Sequence, residues 1–403
     1  MIWSRLHISR FLLLFFISII LPLPPGGVCF KTLTCFQRTA VHLNMASSTD
    51  IHSKEKLEKA EKLVDWLISN GGYVNPKCSV AFSHYGYELR ANSLIKAGDI
   101  LCTVPKEVQI HAKGDMALHE IAYTITVEKL KGESSFYYPF LSSLPEDVSY
   151  IPAMWDDEKL ALIEGTTVYD DVITMKNAWI NDMNTNRVDV SLKDEIMWAR
   201  ATSQSRTLSF PGQLFTFLPY ISLANHNDEP DGMFQYPYPE LGDGETIPST
   251  SVLLRAKKDY SPGQEISISY GDMSFQQKCT SFGWIDFSVN SESTCITTIM
   301  VNKRILEVKT SISAAEKLKN NIKLGLQDTI GVKKQLSNVF SAMESELVPK
   351  HELVEMLRKK ITILQSLNDK VKNHDMKDCD LIRQVELDAC QFILKVLIDM
   401  IKK

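Results

Sequence analysis

The chain has 403 residues, of which 44% are hydrophobic and 23% are charged, and its net charge is −5. That apolar content excludes general disorder, the length allows two or three domains, and the charge gives no indication of nucleic-acid binding. The eight cysteines include no C-x-x-C or C-x-C pair, which argues against a zinc cluster or a dense disulfide framework and favours buried free thiols.

Residues 1–45 are predicted to be a targeting leader. The apolar run from Phe11 to Leu21 follows basic residues and is too short to cross a bilayer comfortably, which is typical of a signal peptide. The stretch after it is rich in hydroxyl residues and has no acid before Asp50, which is typical of a transit peptide. We therefore expect delivery to a plastid and no membrane segment in the mature form. A secretory protein, or a cytosolic one translated from Met45, is the alternative.

The first elements of the mature chain are a helix and three strands. Apolar residues at helical spacing predict a helix over 53–70, capped by Ser53 and ended by Gly71-Gly72. Short strands separated by turns follow. Their predicted bounds are Val80–Phe82, Tyr87–Ala91 and Ile100–Val104.

The pattern becomes helical after residue 110 and returns to strands after residue 213. Helices are predicted over 115–131, 156–164 and 168–199, strands over 214–223, 250–256 and 264–270, and helix again from about 303 to the end. The predicted class is α+β, a β-rich fold interrupted by a helical insert and followed by an all-α C-terminal domain. The predicted domains are 53–110, 111–205 (the insert), 206–290 and 300–403.

Two short motifs carry the chemistry. Asn225-His226 ends the run Phe217-Leu-Pro-Tyr-Ile-Ser-Leu-Ala-Asn-His, and Tyr270 ends a predicted strand that follows the Pro262-Gly263 turn. Each motif alone is weak. In this order and at this distance they resemble the two halves of a SET methyltransferase site, and that resemblance implies S-adenosyl-L-methionine as cofactor.

The insert narrows the resemblance. Tyr138-Pro-Phe-Leu-Ser-Ser-Leu-Pro145, Ile151-Pro-Ala-Met-Trp155 and Leu162-Ile-Glu-Gly-Thr166 are similar to the SET branch that includes the Rubisco large-subunit lysine methyltransferase. The stretch from Trp66 to Gly72 also matches that branch. We expect these residues to be structural, with Phe140 and Trp155 in the core.

The resemblance also implies roles for individual residues. Gly86 lets backbone approach the cofactor, Arg206 neutralises its carboxylate, Asn225 and His226 bind its amino and adenine groups, and Trp284 packs on adenine. Methyl transfer mainly requires orientation of a neutral nucleophile, and Tyr270 is implied to orient the acceptor at the methyl group. The full cofactor-binding set is Tyr85, Gly86, Tyr87, Arg206, Asn225, His226, Tyr270 and Trp284, with Tyr270 also the catalytic residue and no metal ligand.

Three residues depart from the family pattern. Glu88 stands where a second glycine is usual, Ser222 where an aspartate is usual, and Phe282 where a second tyrosine often precedes a Gly-Phe pair. The leading interpretation is a protein-lysine N-methyltransferase that acts as a monomer on a protein substrate docked by the C-terminal helices. A protein-histidine N-methyltransferase and a non-catalytic SET-derived binding module are the alternatives.

Overall fold

The computed structural model describes residues 49–83, 86–185, 189–210, 214–227, 232–235, 251–271, 273–283, 294–301, 304–311, 315, 326–343, 350–367 and 377–402. The predicted leader lies outside these ranges. Tyr85 and Trp284 of the predicted site also lie outside them.

The chain divides into two compact units, each built from two separate stretches. Unit 1 comprises residues up to 145 together with 206–272, and unit 2 comprises 146–205 together with 273–403. The predicted insert therefore contributes 111–145 to unit 1 and 146–205 to unit 2. The predicted domain boundaries stay a prediction.

The described part of unit 1 contains three α-helices and ten short strands. Its helices are α1 (Thr49–Ser69), α2 (Ala117–Leu130) and α3 (Tyr138–Ser142). Its strands are β1 (Tyr73–Val74), β2 (Cys78–Ser83), β3 (Gly86–Ala91), β4 (Ile100–Val104), β5 (Ile110–Lys113), β6 (Thr207–Phe210), β7 (Leu214–Phe217), β8 (Gly232–Gln235), β9 (Val252–Ala256) and β10 (Glu265–Ile266).

These strands form three small antiparallel sheets, ordered β1-β4-β9-β8, β10-β3-β2 and β5-β7-β6. The sheet β10-β3-β2 joins the strand that begins at Gly86 to the strand that precedes Tyr270. In this sheet Glu265 pairs with Arg90 and Ile266 pairs with Leu89. The sequence-predicted strands around 80, 87 and 100 are confirmed. The predicted strand over 264–270 is regular only at Glu265–Ile266.

The core of unit 1 contains Phe140, one of the aromatic residues of the insert motifs. Phe140 is fully buried and its ring centroid lies 4.7 Å from that of Phe217. Trp66 packs edge-on against Phe136 at 5.4 Å. The prediction that Phe140 is a core residue is confirmed, and such rings contribute more buried apolar area than any other side chains.

Helix α1 ends as predicted but begins earlier. It starts at Thr49, so Ser53 lies inside the helix and is not its N-terminal cap. At the other end the Gly72 amide donates to the Leu67 carbonyl at 2.9 Å. A Cβ on Gly72 would lie 2.8 Å from that carbonyl oxygen, so the turn requires glycine here.

Unit 2 contains seven helices of the described chain and one β-hairpin. The helices are α4 (Asp157–Ala161), α5 (Thr167–Thr185), α6 (Lys193–Arg206, whose last residue belongs to unit 1), α7 (Phe275–Phe282), α8 (Leu326–Met343), α9 (Lys350–Ser366) and α10 (Lys377–Ile401). The hairpin strands are β11 (Thr294–Val301) and β12 (Arg304–Ser311), paired from Thr294 with Ser311 to Val301 with Arg304.

The hairpin corrects one prediction, since residues 304–311 form a strand and not the start of a helix. Trp155 is buried in unit 2, as predicted. The apolar faces of α9 and α10 meet in one core cluster, in agreement with the helical pattern predicted for this part of the chain. Its fully buried members include Leu357, Leu364, Phe392, Ile393 and Leu397.

The described cysteines are all free thiols, as predicted. They are Cys78, Cys102, Cys279, Cys295, Cys379 and Cys390, and all except Cys78 are buried. No helix of the described residues is long and apolar enough to cross a membrane.

Candidate functional site

The two motifs lie side by side in unit 1. The Ile268 amide donates to the Asn225 carbonyl at 2.9 Å, and the Asn227 amide donates to the Ile268 carbonyl at 3.0 Å. His226 and Ile268 thereby form a parallel bridge. Segments separated by more than forty residues are fixed to each other by backbone hydrogen bonds, so the side chains they carry share one location.

The bridge orients His226 against Tyr270. The Tyr270 amide donates to Nδ1 of His226 at 3.0 Å, and the two ring centroids lie 5.2 Å apart. A nitrogen that accepts a hydrogen bond carries no proton, so the neutral imidazole has its proton on Nε2. His226 therefore orders the turn at Tyr270 through its ring.

The hydroxyl of Tyr270 is held by the other motif. It donates to the Ala224 carbonyl at 2.7 Å. This bond uses the proton of the phenol and leaves the lone pairs of its oxygen for other donors. Tyr270 is half-buried, and its oxygen is placed by the hydrogen bond to Ala224.

The Asn-His segment begins at a strained turn. Tyr220 has φ 65° and ψ −54°, and the Ile221 amide donates to the Pro219 carbonyl at 2.7 Å. These values define a γ-turn of the strained kind. The turn explains why strand β7 ends at Phe217 although the sequence predicted a strand over 214–223.

Tyr220 was not predicted as a site residue, although proline before an aromatic residue was a visible turn signal. Its ring is buried, and its hydroxyl has no hydrogen-bond partner among the described residues. Burial raises the pKa of Tyr220 well above its usual value, with smaller contributions from Cys78 and Cys102. It therefore remains a neutral phenol.

Arg206 lies at the end of α6 and contacts the same segment. Its Nη1 donates to the Ser222 carbonyl at 2.7 Å, while its buried Nε has no partner among the described residues. None of the ion pairs within the described ranges gives Arg206 a carboxylate partner. A buried donor without an acceptor is costly, so this guanidinium fits an anionic ligand such as a carboxylate.

Asn225 is the third polar contact in this region. Its Nδ2 donates to Oε1 of Glu265 at 2.8 Å. The side chain of Asn225 is half-buried and that of Glu265 is exposed. Glu265 was missed from the sequence, because an acid near the start of a strand carries no signal of its own.

Gly86 and Tyr87 begin β3 and differ in their surroundings. Gly86 has φ 96°, and a Cβ there would have no atom within 4 Å, so its backbone is open to an approaching ligand. The Tyr87 hydroxyl donates to the Lys56 carbonyl at 2.9 Å, and its ring packs on Phe82 at 5.2 Å. The side chain of Tyr87 thus joins β3 to α1, and its cofactor-binding role stays a prediction.

The departures from the family pattern have distinct environments. Glu88 is buried and accepts from Nε of Arg90 at 2.6 Å. Ser222 is buried, and its Oγ has no partner within the described chain. Phe282 is the last residue of α7 in unit 2. No grouping of three or more His, Cys, Asp or Glu suited to a metal ion occurs among the residues that the structure describes.

Comparisons with known proteins agree with this arrangement. Residues 86–271 match the family model described as the SET domain. No match was found among curated protein sequences. Solved structures of similar fold include the SET domain of LSMT bound to lysine and AdoHcy, at 13% identity and TM-score 0.57, covering 85% of this chain and 91% of that one.

Two further structures give the same result. Rubisco LSMT bound to sinefungin and monomethyllysine and Rubisco LSMT bound to AdoMet each show 14% identity and TM-score 0.57, covering 85% of this chain and 92% of the other.

The bridged motifs lie within residues 86–271, the part that matches the SET domain, and SET methyltransferases use S-adenosylmethionine as methyl donor. The chain also has the fold of the Rubisco LSMT structures, which agrees with the predicted resemblance to that SET branch. The predicted α+β class, with a SET fold and a helical C-terminal region, is confirmed as well.

Proposed function

We propose that the chain is an S-adenosylmethionine-dependent methyltransferase that methylates the side-chain nitrogen of a lysine in a protein substrate. The observation that carries this proposal is the Tyr270 hydroxyl held by the Ala224 carbonyl, within two motifs fixed by a parallel bridge. The SET-domain match and the fold of lysine-bound LSMT support it.

The residues around Tyr270 fit the cofactor. S-adenosylmethionine supplies a methyl group made electrophilic by a sulfonium. Arg206, with its unpaired buried Nε, would hold the carboxylate of the methionine moiety, while Asn225 and the open backbone at Gly86 would contact the same end. His226 and Trp284 are proposed for the adenine side.

Tyr270 would act by orientation. Because its proton is directed at Ala224, its oxygen can accept a hydrogen bond from the acceptor amine or a weak C–H contact from the methyl group. A lysine must be neutral to attack, so its pKa must be lowered by a dry site. No residue here needs to accept a proton in the transfer step.

The test is transfer of labelled methyl by purified residues 46–403 to proteins of a plastid or whole-cell extract. We expect Tyr270→Phe to reduce the rate by roughly 100-fold, since one oriented polar contact at the reacting atoms is lost. Tyr73→Phe, an exposed tyrosine of the same unit, is the matched control and should keep full activity. Unchanged activity of Tyr270→Phe, or no cofactor binding by calorimetry, would overturn the assignment.

Mass spectrometry of the labelled product identifies the acceptor and the number of methyl groups. Methyl on a lysine nitrogen supports the proposal. Methyl on a histidine ring supports the alternative, a protein-histidine N-methyltransferase. That reaction requires less deprotonation of the acceptor, because imidazole is already largely neutral near pH 7. Cofactor binding without turnover would favour the non-catalytic binding module.

We further propose that helices α8, α9 and α10 dock the protein substrate and that the mature chain acts as a monomer in a plastid. The support is the position of the helices after the SET domain and the composition of the leader. N-terminal sequencing of the mature protein tests the location. A mature N-terminus at Ala46 would favour a cytosolic protein.

A further inference from the structure

Charged side chains connect three segments of unit 1 next to the candidate site. Arg90 on β3 donates through Nε to Oε1 of Glu88 at 2.6 Å and through Nη1 to the Gly263 carbonyl at 3.1 Å. Arg90 is also the register partner of Glu265 across the sheet. Glu265 in turn accepts from Nδ2 of Asn225.

Arg90 therefore bonds the carboxylate of Glu88 and is the cross-strand neighbour of a second acid, Glu265. Its pKa is raised chiefly by the hydrogen bond with Glu88; burial opposes this, and the charges of Glu88 and Glu265 add to the rise. A buried Glu88 would be costly without this partner. The residue that replaces the second glycine of the family thus anchors the arginine that faces Glu265.

The carboxylate of Glu265 determines how the Asn225 amide is turned. An ionised carboxylate only accepts hydrogen bonds, so the NH2 side of the amide must face it. Oδ1 of Asn225 is then directed away from Glu265, as an acceptor for a donor on a ligand. Without Glu265 the amide could rotate by 180° and present a donor there instead.

We propose that Glu265, the cross-strand neighbour of Arg90, is a positioning residue that fixes the Asn225 amide for the ammonium group of the cofactor's methionine moiety. This inference rests on the proposed function, because it requires that S-adenosylmethionine binds at Asn225. Glu265 acts through Asn225 and does not touch the reacting atoms.

The test compares two ligands by calorimetry, S-adenosylhomocysteine and 5′-methylthioadenosine, which lacks the amino-acid end. We expect Glu265→Ala to weaken S-adenosylhomocysteine about fivefold, the effect of one charge-assisted hydrogen bond near the surface. Binding of 5′-methylthioadenosine should change less than about twofold on the same scale. Glu107→Ala, an exposed glutamate of the same unit, should leave both affinities unchanged.

A double-mutant cycle separates positioning from general stability. In an Asn225→Ala background, Glu265→Ala should cause no further loss of S-adenosylhomocysteine binding, because the group it positions is gone. The melting temperature should be the same with and without Glu265→Ala. In turnover, KM for S-adenosylmethionine should rise while kcat stays within about twofold.

Three results would overturn the inference: equal affinity of the variant and the parent, equal weakening of both ligands, or the same loss in the Asn225→Ala background. If Glu265→Ala does not fold, Glu265→Gln keeps the size of the side chain, and its carboxamide should give a smaller but still ligand-selective loss. A parent chain that binds neither ligand would overturn the proposed function and not this step alone.

Discussion

Two nitrogens of Arg206 differ, since Nη1 donates a hydrogen bond and the buried Nε does not, and this asymmetry has a measurable consequence. The Ser222 carbonyl orients the guanidinium through Nη1, and the buried Nε remains for a ligand. A fork of donors with fixed direction suits a carboxylate better than a point charge does. Binding of the cofactor would convert an energetic cost of the folded chain into ligand affinity.

We expect Arg206→Ala to weaken S-adenosylhomocysteine by roughly 10- to 100-fold, because a hydrogen bond between charged groups contributes about 1.5–3 kcal/mol. The affinity of Arg206→Lys should lie between those of the parent and Arg206→Ala, because lysine keeps the charge and loses the paired donors of the guanidinium. Calorimetry provides the measurement. Arg358→Ala on the exposed face of α9 is the control. Equal affinities of Arg206→Ala and the parent would show that Arg206 is structural.

At the level of residues, the sequence indicated the main residues of the candidate site better than the groups that position them. Asn225, His226 and Tyr270 could be found because a family pattern places them, and the structure brings them together. Glu265 and the Ala224 carbonyl could not, because one is an exposed acid and the other is a backbone atom with no sequence identity. The cofactor-binding role of Tyr87 stays a prediction, and the structure shows its hydroxyl bonded to the Lys56 carbonyl of α1.

Four elements of unit 2 meet at one buried ion pair. Nζ of Lys360 on α9 lies 2.7 Å from Oε1 of Glu386 on α10 and also donates to the Thr298 carbonyl of β11 at 2.9 Å. Glu386 accepts from the Thr167 amide at the start of α5 at 2.6 Å. The charged groups of Lys360 and Glu386 both have hydrogen-bond partners on other elements. The pair therefore specifies that α5, α9, α10 and β11 pack together, whatever its net contribution to the free energy of unfolding.

Breaking this pair from one side should be strongly destabilising. We expect Lys360→Met to lower the free energy of unfolding by about 3–5 kcal/mol, because Glu386 is left as an uncompensated buried charge. The double variant Lys360→Met/Glu386→Gln should recover much of the loss, since glutamine is neutral and still accepts from Thr167. Urea denaturation measures both.

A surface pair in the same unit provides the control for that experiment. Lys395→Met removes the exposed pair with Asp399 on α10 and should cost at most about 0.5 kcal/mol. A Lys360→Met loss as small as that of the control would show that water reaches Glu386.

Elements were predicted best where periodicity is long. Helices α1, α2 and α10 follow clear apolar stripes, and their predictions hold apart from the early start of α1. Strand β12 was missed, because Glu307, Val308 and Lys309 were assigned to the helix predicted from about residue 303. Only pairing with β11 decides between the two readings, and pairing is a long-range property that local pattern does not contain.

Asp171 gives the whole molecule a predicted dependence of stability on pH. Burial raises the pKa of Asp171 to about 7; the charges of Glu386, Asp170 and Glu307 add to the rise, and Lys360 opposes it. An aspartate in the unfolded chain has a pKa of about 4. Between about pH 4 and pH 7 the folded chain therefore binds more protons, and its stability falls as the pH rises through this range.

We expect the contribution of Asp171 to lower the melting temperature as the pH is raised from 5 to 8. Asp171→Asn cannot ionise, so that part of the pH dependence should be absent and the variant should gain stability relative to the parent above pH 7. Asp157→Asn, a fully exposed acid in the same unit, should leave the profile unchanged. Parallel profiles of Asp171→Asn and the parent would contradict the expectation.

For the molecule as a whole, the sequence predicted the class and the order of helical and β-rich regions, but not how the insert is shared. The sequence motifs within 138–166 indicated the resemblance to the Rubisco methyltransferase branch. Even so, Phe140 packs in unit 1 and Trp155 packs in unit 2. A motif that is continuous in sequence can serve two cores, and only tertiary contacts show where the division falls.

The hydrogen bond from the Thr167 amide to Glu386 also has a consequence for synthesis. The two residues are 219 positions apart. At roughly 5–20 residues per second, the start of α5 waits about ten to forty-five seconds after leaving the ribosome before its acceptor is made. The last residue of unit 1 is 272, so unit 1 can assemble on the ribosome while residues 146–205 remain without their later partners. Translation speed over the last 130 or so codons therefore sets how long the half-built unit 2 is exposed to chaperones.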